Sequence, residues 1–195
     1  MEKKSGRKNS FARRTGSKLY PQLQRDLFQK QFLGSGSQFS VEECDVTLSI
    51  RPASATDLPA MMALEKRAAT AAHWSGEQYQ DLFRGSDPGR VALVMQEESG
   101  LQGFVIARVL DDEWEIENIV VAGPARRRGL GTRLLGELLD LARGQGAAAV
   151  FLEVRESNHA ARALYEKWAF LESGHRRRYY RHPEEDAILY RLGFI

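Results

Sequence analysis

Polar and apolar positions along the chain follow two rhythms. A period of two, with Val46, Leu48 and Ile50 set against Thr47 and Ser49, predicts a strand over residues 46–50. Further strands are predicted over 90–96, 102–110, 113–121, 147–154, 170–177 and 186–191. Helical spacing is clearest over 133–143, where Leu134, Leu135, Leu138, Leu139 and Ala142 recur along one stripe. That stripe is expected to be core. Thr56 can cap a helix running to about residue 70, and Ser75 with Gln78 makes a capping box for another ending near residue 83. A last helix spans 158–168, opened by Asn158. The order β-α-α-β-β-β-α-β-α-β-β predicts an α/β (α+β) protein, a mixed sheet with helices on both faces.

No sustained periodicity precedes residue 46, apart from a short helix that residues 19–32 would allow. Gly34-Ser35-Gly36-Ser37 reads as a flexible linker, so the folded domain is set at 46–195 after a disordered, basic extension over 1–45. Charge supports this division. Residues 1–30 hold nine Lys/Arg against two acids, whereas the rest of the chain holds 19 against 24. Three readings of the extension stay open. It can be a solvated tail (an upstream start codon would also produce one), an arm making weak RNA or ribosome contacts through phosphates, or an organelle transit peptide. Glu2 and the lack of an apolar face weigh against the last.

The rest of the composition excludes more than it selects. Cys44 is the single cysteine, which rules out an internal disulfide and leaves nothing to suggest secretion. No apolar run approaches the roughly 18–20 residues of a membrane helix. The expected compartment is the cytoplasm, with no membrane contact. Four scattered histidines, without H-E-x-x-H or C-x-x-C spacing, argue against a metal site.

Between the predicted strand 113–121 and the leucine-striped helix lies Arg126-Arg127-Arg128-Gly129-Leu130-Gly131-Thr132. A strand turning through an Arg/Gly loop into a helix aims backbone N–H groups and the helix dipole at one spot, and so predicts a phosphate ligand. The loop lacks the lysine of a Walker A sequence, and Leu134 stands where the dinucleotide fingerprint needs its third glycine. What remains is R-x-x-G-x-G. No aromatics interleave the three arginines, which favours a small polyanion over a nucleic acid.

This loop resembles the pyrophosphate loop of the GCN5-related N-acetyltransferases (GNAT), whose element order is the one predicted above. The segment from Phe151 to Phe170 sharpens the resemblance. It carries L-E-V-R at 152–155 and then Asn158, Ala161, Leu164, Tyr165 and Phe170 in the pattern N-x-x-A-x-x-L-Y-x-x-x-G-F. With Arg176-Arg177-Arg178-Tyr179-Tyr180 ahead of Glu185-Asp186-Ala187-Ile188, it is similar to the bacterial ribosomal-protein alanine N-acetyltransferases within that family. The likeness runs from about residue 46 to the C-terminus and leaves out the basic extension.

The resemblance implies acetyl transfer from acetyl-CoA to a protein N-terminus, most simply the N-terminal alanine of a ribosomal protein. It makes Glu153 the proton acceptor, through water, and Tyr165 the proton donor to the CoA sulfur. It gives the main chain of Ile119, Val120 and Val121 to the pantetheine arm, and Arg127, Arg128, Gly129, Leu130, Gly131 and Thr132 to the pyrophosphate. Asn158 would also contact the cofactor. Tyr179 and Tyr180, in the predicted connection between the last two strands, and Trp74 would line the peptide groove.

Physical chemistry permits this acceptor without selecting it. An α-amine is easier to deprotonate than a lysine by about 2.5 pKa units, or roughly 3.4 kcal/mol. Two rivals stand beside the reading: a GNAT enzyme for a small amine or a lysine side chain, and a non-catalytic acetyl-CoA-binding protein with an RNA-docking tail. Two departures from the pattern are visible. Ala169 replaces the glycine expected after the last helix, and Ala122-Gly123-Pro124 replaces the commoner Asp-Pro after the central strand.

Overall fold

The structure, a computed structural model, describes residues 48–68, 70–84 and 89–194. The extension over 1–45 and the first two residues of the first predicted strand lie outside the described residues. The described elements, in chain order, are β1 (Ser49–Pro52), α1 (Leu58–Lys66), α2 (Gly76–Asp81), β2 (Arg90–Glu97), β3 (Gly100–Leu110), β4 (Glu113–Val121), α3 (Leu130–Gly144), β5 (Ala149–Arg155), α4 (His159–Lys167), β6 (Leu171–Arg181) and β7 (Glu184–Gly193). The order is the one predicted, and β4 has the predicted bounds.

The strands form one sheet in the order β1-β2-β3-β4-β5-β7-β6. Only β4 and β5 run parallel, joined by a crossover through α3. Neighbouring residues on β3 show that the helices cover both faces. Phe104 joins a core cluster with Met61 of α1, whereas a Cβ on Gly103 would meet Leu134 of α3. Consecutive strand residues point to opposite faces, so α1 and α3 lie on opposite sides. The leucine stripe of α3 is core, with Leu134, Leu135, Leu138, Leu139 and Ala142 all buried.

The β3–β4 ladder contains a bulge that the even alternation of Glu113–Val121 conceals. Ala107 pairs with Ile116 and Ile106 with Asn118, which leaves Glu117 as the extra residue. One inserted residue changes which face the following positions occupy. Ile116 therefore shares the face of Ala107, while Asn118 and Val120 share that of Ile106 and Phe104.

The first helix departs from its expected cap, and α3 opens at Leu130, three residues before its expected start. By contrast, α2 and α4 carry the caps expected of them. Thr56 does not cap α1. It lies inside a short 3-10 turn, Ala55–Asp57, that opens two residues earlier at Ser54. Asp57 draws the turn back by accepting from the Ser54 N–H and hydroxyl, both at 2.8 Å. The Arg51 guanidinium grips the same carboxylate at 2.7 and 2.8 Å and holds its pKa down at about 2. Ser75 and Gln78 form the predicted box, with Gln78 N–H donating to Ser75 Oγ at 3.3 Å and Ser75 N–H to Gln78 Oε1 at 2.8 Å. Asn158 caps α4 by accepting from the Ala161 N–H at 3.2 Å.

The C-terminus of α4 ends in a Schellman arrangement. Ala169 has φ of 61°, its N–H donates to Glu166 O, and the Phe170 N–H donates to Tyr165 O. The Phe170 and Tyr165 rings supply the accompanying apolar contact, with centroids 5.7 Å apart. Nearby, α3 approaches closely because Gly136 has no side chain, since a Cβ there would lie 3.0 Å from the Trp168 ring.

Two outcomes are expected. Ala169→Gly should raise the unfolding free energy by about 0.5–1 kcal/mol, the left-handed penalty less the entropy a glycine adds to the unfolded chain. Urea denaturation would measure it, and Ala169→Val should shift stability the other way. The second concerns acid. An unfolded aspartate takes up a proton near pH 3.9, whereas folded Asp57 resists until about pH 2, so its stabilisation is present above roughly pH 4 and is lost as pH falls toward 2. The stability difference between the native protein and Asp57→Asn should therefore shrink steadily between pH 5 and pH 2.

Candidate active site

The parting of β4 and β5 creates the site. Their ladder runs from Glu113↔Ala149 to Ile116↔Leu152 and stops. Beyond it, β4 continues to Val121 on its pairing with β3, and β5 continues to Arg155 on its pairing with β7. The edge of Ile119, Val120 and Val121 that would have met β5 faces a cleft instead. Backbone groups on such an edge need partners, and an extended ligand carrying amides can supply them.

At one end of the cleft lies a cavity of about 560 Å³ bordered by Ile119, Val120, Val121, Arg126, Arg127 and the start of α3. The Arg/Gly loop turns through left-handed residues, Arg127 with φ of 62° and Gly129 with φ of 77°. No side chain caps α3, and the first intrahelical bond in this turn runs from Arg133 N–H to Gly129 O. The N–H groups of Leu130, Gly131 and Thr132 are thus left to the cavity that these residues line. Gly131 also permits a tight floor, since a Cβ there would lie 3.4 Å from Leu164 and 3.7 Å from Val121. This arrangement fits a pyrophosphate, and the open β4 edge fits a pantetheine arm.

Arg128 behaves differently from its neighbours. Its guanidinium turns away to the buried Glu97 of β2, 2.7 Å off, and it is not part of the cavity wall. The place expected of Arg128 in the loop concerns its main chain, while its side chain is held by this ion pair within the protein. Arg126, outside the expected set, lines the cavity and donates to Val121 O at 3.3 Å.

At the other end a cavity of about 310 Å³ takes in Glu115, Glu117, Asn118, Glu153, Tyr179 and Tyr180. Thr70, Ala71, Ile119, Asn158, Ala161 and Tyr165 line both cavities, so the two are halves of one cleft. Glu153 projects from the end of β5 that lies beyond its ladder with β4, and Tyr165 from α4. Sequence separation of twelve positions becomes convergence on a shared space.

The electrostatics differ between these two groups. Arg176 of β6 approaches the Glu153 carboxylate at 2.9 Å. Tyr179 shares a hydrogen bond with Glu153, which raises the pKa of that phenol. Tyr165 is buried among Phe170 and Tyr190, and burial pushes its pKa well above the ordinary tyrosine value. Its proton is held firmly at neutral pH. Burial, then Glu117 and Glu153, raise the pKa of Glu115.

Tyr179 and Tyr180 reach the cleft from within β6 rather than from a connection. The strand continues to Arg181, and the turn follows at His182-Pro183. A register shift between Arg176 and Tyr180, with Arg178 at φ of 52°, swings the pair over the cleft. The Tyr180 ring lies under the Arg155 guanidinium at 4.0 Å, and Arg155 pairs with Glu185 of β7 at 3.2 Å. Burial raises Tyr180 to about 12.

Trp74 is not brought to this cleft. Its ring packs on Tyr79 with centroids 5.6 Å apart and under Arg90 at 5.5 Å, beside a separate cavity. The wall it was expected to form is made by Thr70, Ala71 and Ala72 just upstream. Asn118 was missed altogether. The polar pair Glu117-Asn118 between Ile116 and Ile119 was the available signal, but only the bulge shows that Asn118 turns to the face of Ile106. Among the described residues, no group of three or more His, Cys, Asp or Glu could hold a metal. No helix among them is long and apolar enough to cross a membrane.

Comparison with known proteins agrees with this geometry. The profile of the acetyltransferase (GNAT) family matches residues 58–170. The [ribosomal protein bS18]-alanine N-acetyltransferase of Salmonella typhimurium is 39% identical over 141 residues, covering 71% of this chain and 93% of that protein. The crystal structure of the ribosomal-protein-S18-alanine N-acetyltransferase from Escherichia coli superposes with a TM-score of 0.67 at 35% identity, over 75% of this chain and 94% of the other. Arabidopsis thaliana NAA60 in complex with acetyl-CoA has the same fold, with a TM-score of 0.67 at 19% identity over 76% of this chain and 99% of that one. With the profile spanning more than half of its length and the Salmonella relative matched almost throughout, the chain belongs to the GNAT acetyltransferase family, whose members use acetyl-CoA.

Proposed function

We propose that this protein transfers the acetyl group of acetyl-CoA to the N-terminal α-amine of a protein, the acceptor being the N-terminal alanine of a ribosomal protein in the cytoplasm. The convergence of Glu153 and Tyr165 on one cleft, next to an uncapped helix N-terminus, carries the reading. The Salmonella and Escherichia coli relatives, whose names state that acceptor, support it.

The residues divide the work by position. N–H groups of Gly129, Leu130, Gly131 and Thr132, with Arg126 and Arg127 beside them, would hold the pyrophosphate. The open edge at Ile119–Val121 would hold the pantetheine arm, and Asn158 flanks both. Acetyl-CoA supplies the acetyl group as a thioester. Glu153 accepts the proton that the α-ammonium must lose, directly or through a water. A backbone N–H of the β4 edge would polarise the thioester carbonyl. Tyr165 Oη keeps its proton because burial disfavours the phenolate, and so has one to give the departing sulfur. Tyr179 and Tyr180 form one flank of the acceptor end and Thr70–Ala72 the other.

The reading is tested with purified protein, acetyl-CoA and peptides differing in their first residue, followed by mass spectrometry. Acetylation is expected at the α-amine of alanine-first peptides. Modification only at internal lysines, or at no peptide, would refute it. Glu153→Gln should lower kcat/KM by about 10²–10³-fold and Tyr165→Phe by about 10²-fold with melting temperatures close to native, as expected for loss of a proton-transfer group. Retention of full activity in both variants would remove their assigned roles and leave the fold untouched.

A further inference from the structure

Glu65, in the last turn of α1, is an acid buried to 3% exposure. One carboxylate oxygen accepts from the Trp74 backbone N–H at 3.1 Å. The other accepts from Asn118 Nδ2 at 2.6 Å. Both oxygens are therefore held by N–H donors from other segments, one in the α1–α2 connection and one on β4.

This pairing has a directional consequence. A carboxylate accepts hydrogen bonds and has none to donate, whereas an amide has a donor end and an acceptor end. Facing Glu65, Asn118 must present its NH₂. Its carbonyl Oδ1 is then turned the other way. Asn118 is nearly buried, at 4% exposure, yet helps to line the acceptor end of the cleft together with Glu153 and Tyr165. The bulge at Glu117 sets it on that face.

We propose that Asn118 Oδ1 binds the acceptor's α-amine and that Glu65 is the positioning residue that keeps this oxygen pointed at the cleft. The inference rests on the reading of the protein as an α-amine acetyltransferase. An α-ammonium that gives one proton to Glu153 retains two hydrogens. A hydrogen bond from one of them to Asn118 Oδ1 fixes the rotation of the nitrogen, and with it the direction of the lone pair. An oxygen suits this task because its lone pairs accept a hydrogen bond from the amine, which an NH₂ in the same place cannot do.

The test exchanges amide and acid. In Glu65→Gln, the new side chain can satisfy Trp74 with its oxygen and must offer an NH₂ to Asn118, which turns the Asn118 amide over and puts its own NH₂ in the cleft. In Asn118→Asp, two carboxylates face each other. The double variant E65Q/N118D conserves charge, lets the amide now at position 65 donate to the carboxylate now at position 118, and leaves a carboxylate oxygen facing the cleft. Steady-state kinetics with an alanine-first peptide, with acetyl-CoA and peptide varied separately, are compared alongside thermal melts. Each single variant should lose about tenfold or more in kcat/KM for the peptide, the size of one hydrogen bond lost and one polar group opposed. The KM for acetyl-CoA should stay within about twofold, and the double variant should return to within about threefold of native.

Peptide kinetics unchanged in Glu65→Gln would overturn the proposal. So would an equal rise in the KM for acetyl-CoA, or a double variant no better than the worse single one. If a single variant melts below the assay temperature, the double variant against native decides by the same threefold limit. Native protein that acetylates no peptide overturns the enzyme reading and this inference together, whereas active native protein confines any failure to Glu65 and Asn118.

Discussion

A strand that leaves its ladder exposes backbone groups that must be paired elsewhere, and this requirement shapes the molecule. β4 and β5 share four residue pairs and then separate. Each keeps its outer partner, β3 or β7, so neither collapses into the gap. The opening is stable because the sheet continues on both sides of it. α3, which connects the two strands, brings its N-terminus to the mouth of the same gap. The free strand edge and the free helix end are thus two results of one topological event.

The cleft is electrically graded along its length. Its cofactor end carries arginines and the positive end of a helix, and its acceptor end carries Glu115, Glu117 and Glu153. A ligand with a diphosphate at one end and an amine partner at the other meets the matching sign at each. Two arginines limit this field. Arg90 neutralises Glu117 at 2.6 Å, and Arg176 sits on Glu153. The acceptor end is consequently less acidic than a count of its carboxylates implies, and Tyr179 and Tyr180 line it beside them.

Features that depend on local chemistry were legible in the sequence. The leucine stripe marked the buried face of α3, Ser75 and Gln78 marked the start of α2, and β4 fell on its predicted bounds. The loop at 126–132 marked the turn from β4 into α3 because glycines and a helix start have a local meaning. Features set by tertiary partners were not legible. Nothing near Arg128 announces that Glu97 on β2 claims its side chain. The bulge at Glu117 preserves an apparently regular alternation, so the turn of Asn118 toward the cleft was hidden. Tyr179 and Tyr180 looked like a connection because the arginines before them carry no strand pattern, although Pro183 marked the true turn. Thr56 lost the capping role to Ser54 because Arg51 and Asp57 form a tie that spacing alone does not reveal.

The sheet order leaves β1 and β6 as the outer strands among the described residues. An outer strand is an invitation to join another chain's sheet and so to aggregate. β1 has four residues and ends in Pro52, which has no N–H to offer. β6 is long, but its ladder is broken between Arg176 and Tyr180, and Arg176, Arg177, Arg178 and Arg181 stud that stretch with charge. The bend that carries Tyr179 and Tyr180 over the cleft therefore also spoils the longer of the two edges on which a stray strand could dock. Straightening β6 would cost the protein solubility as well as the shape of its acceptor end.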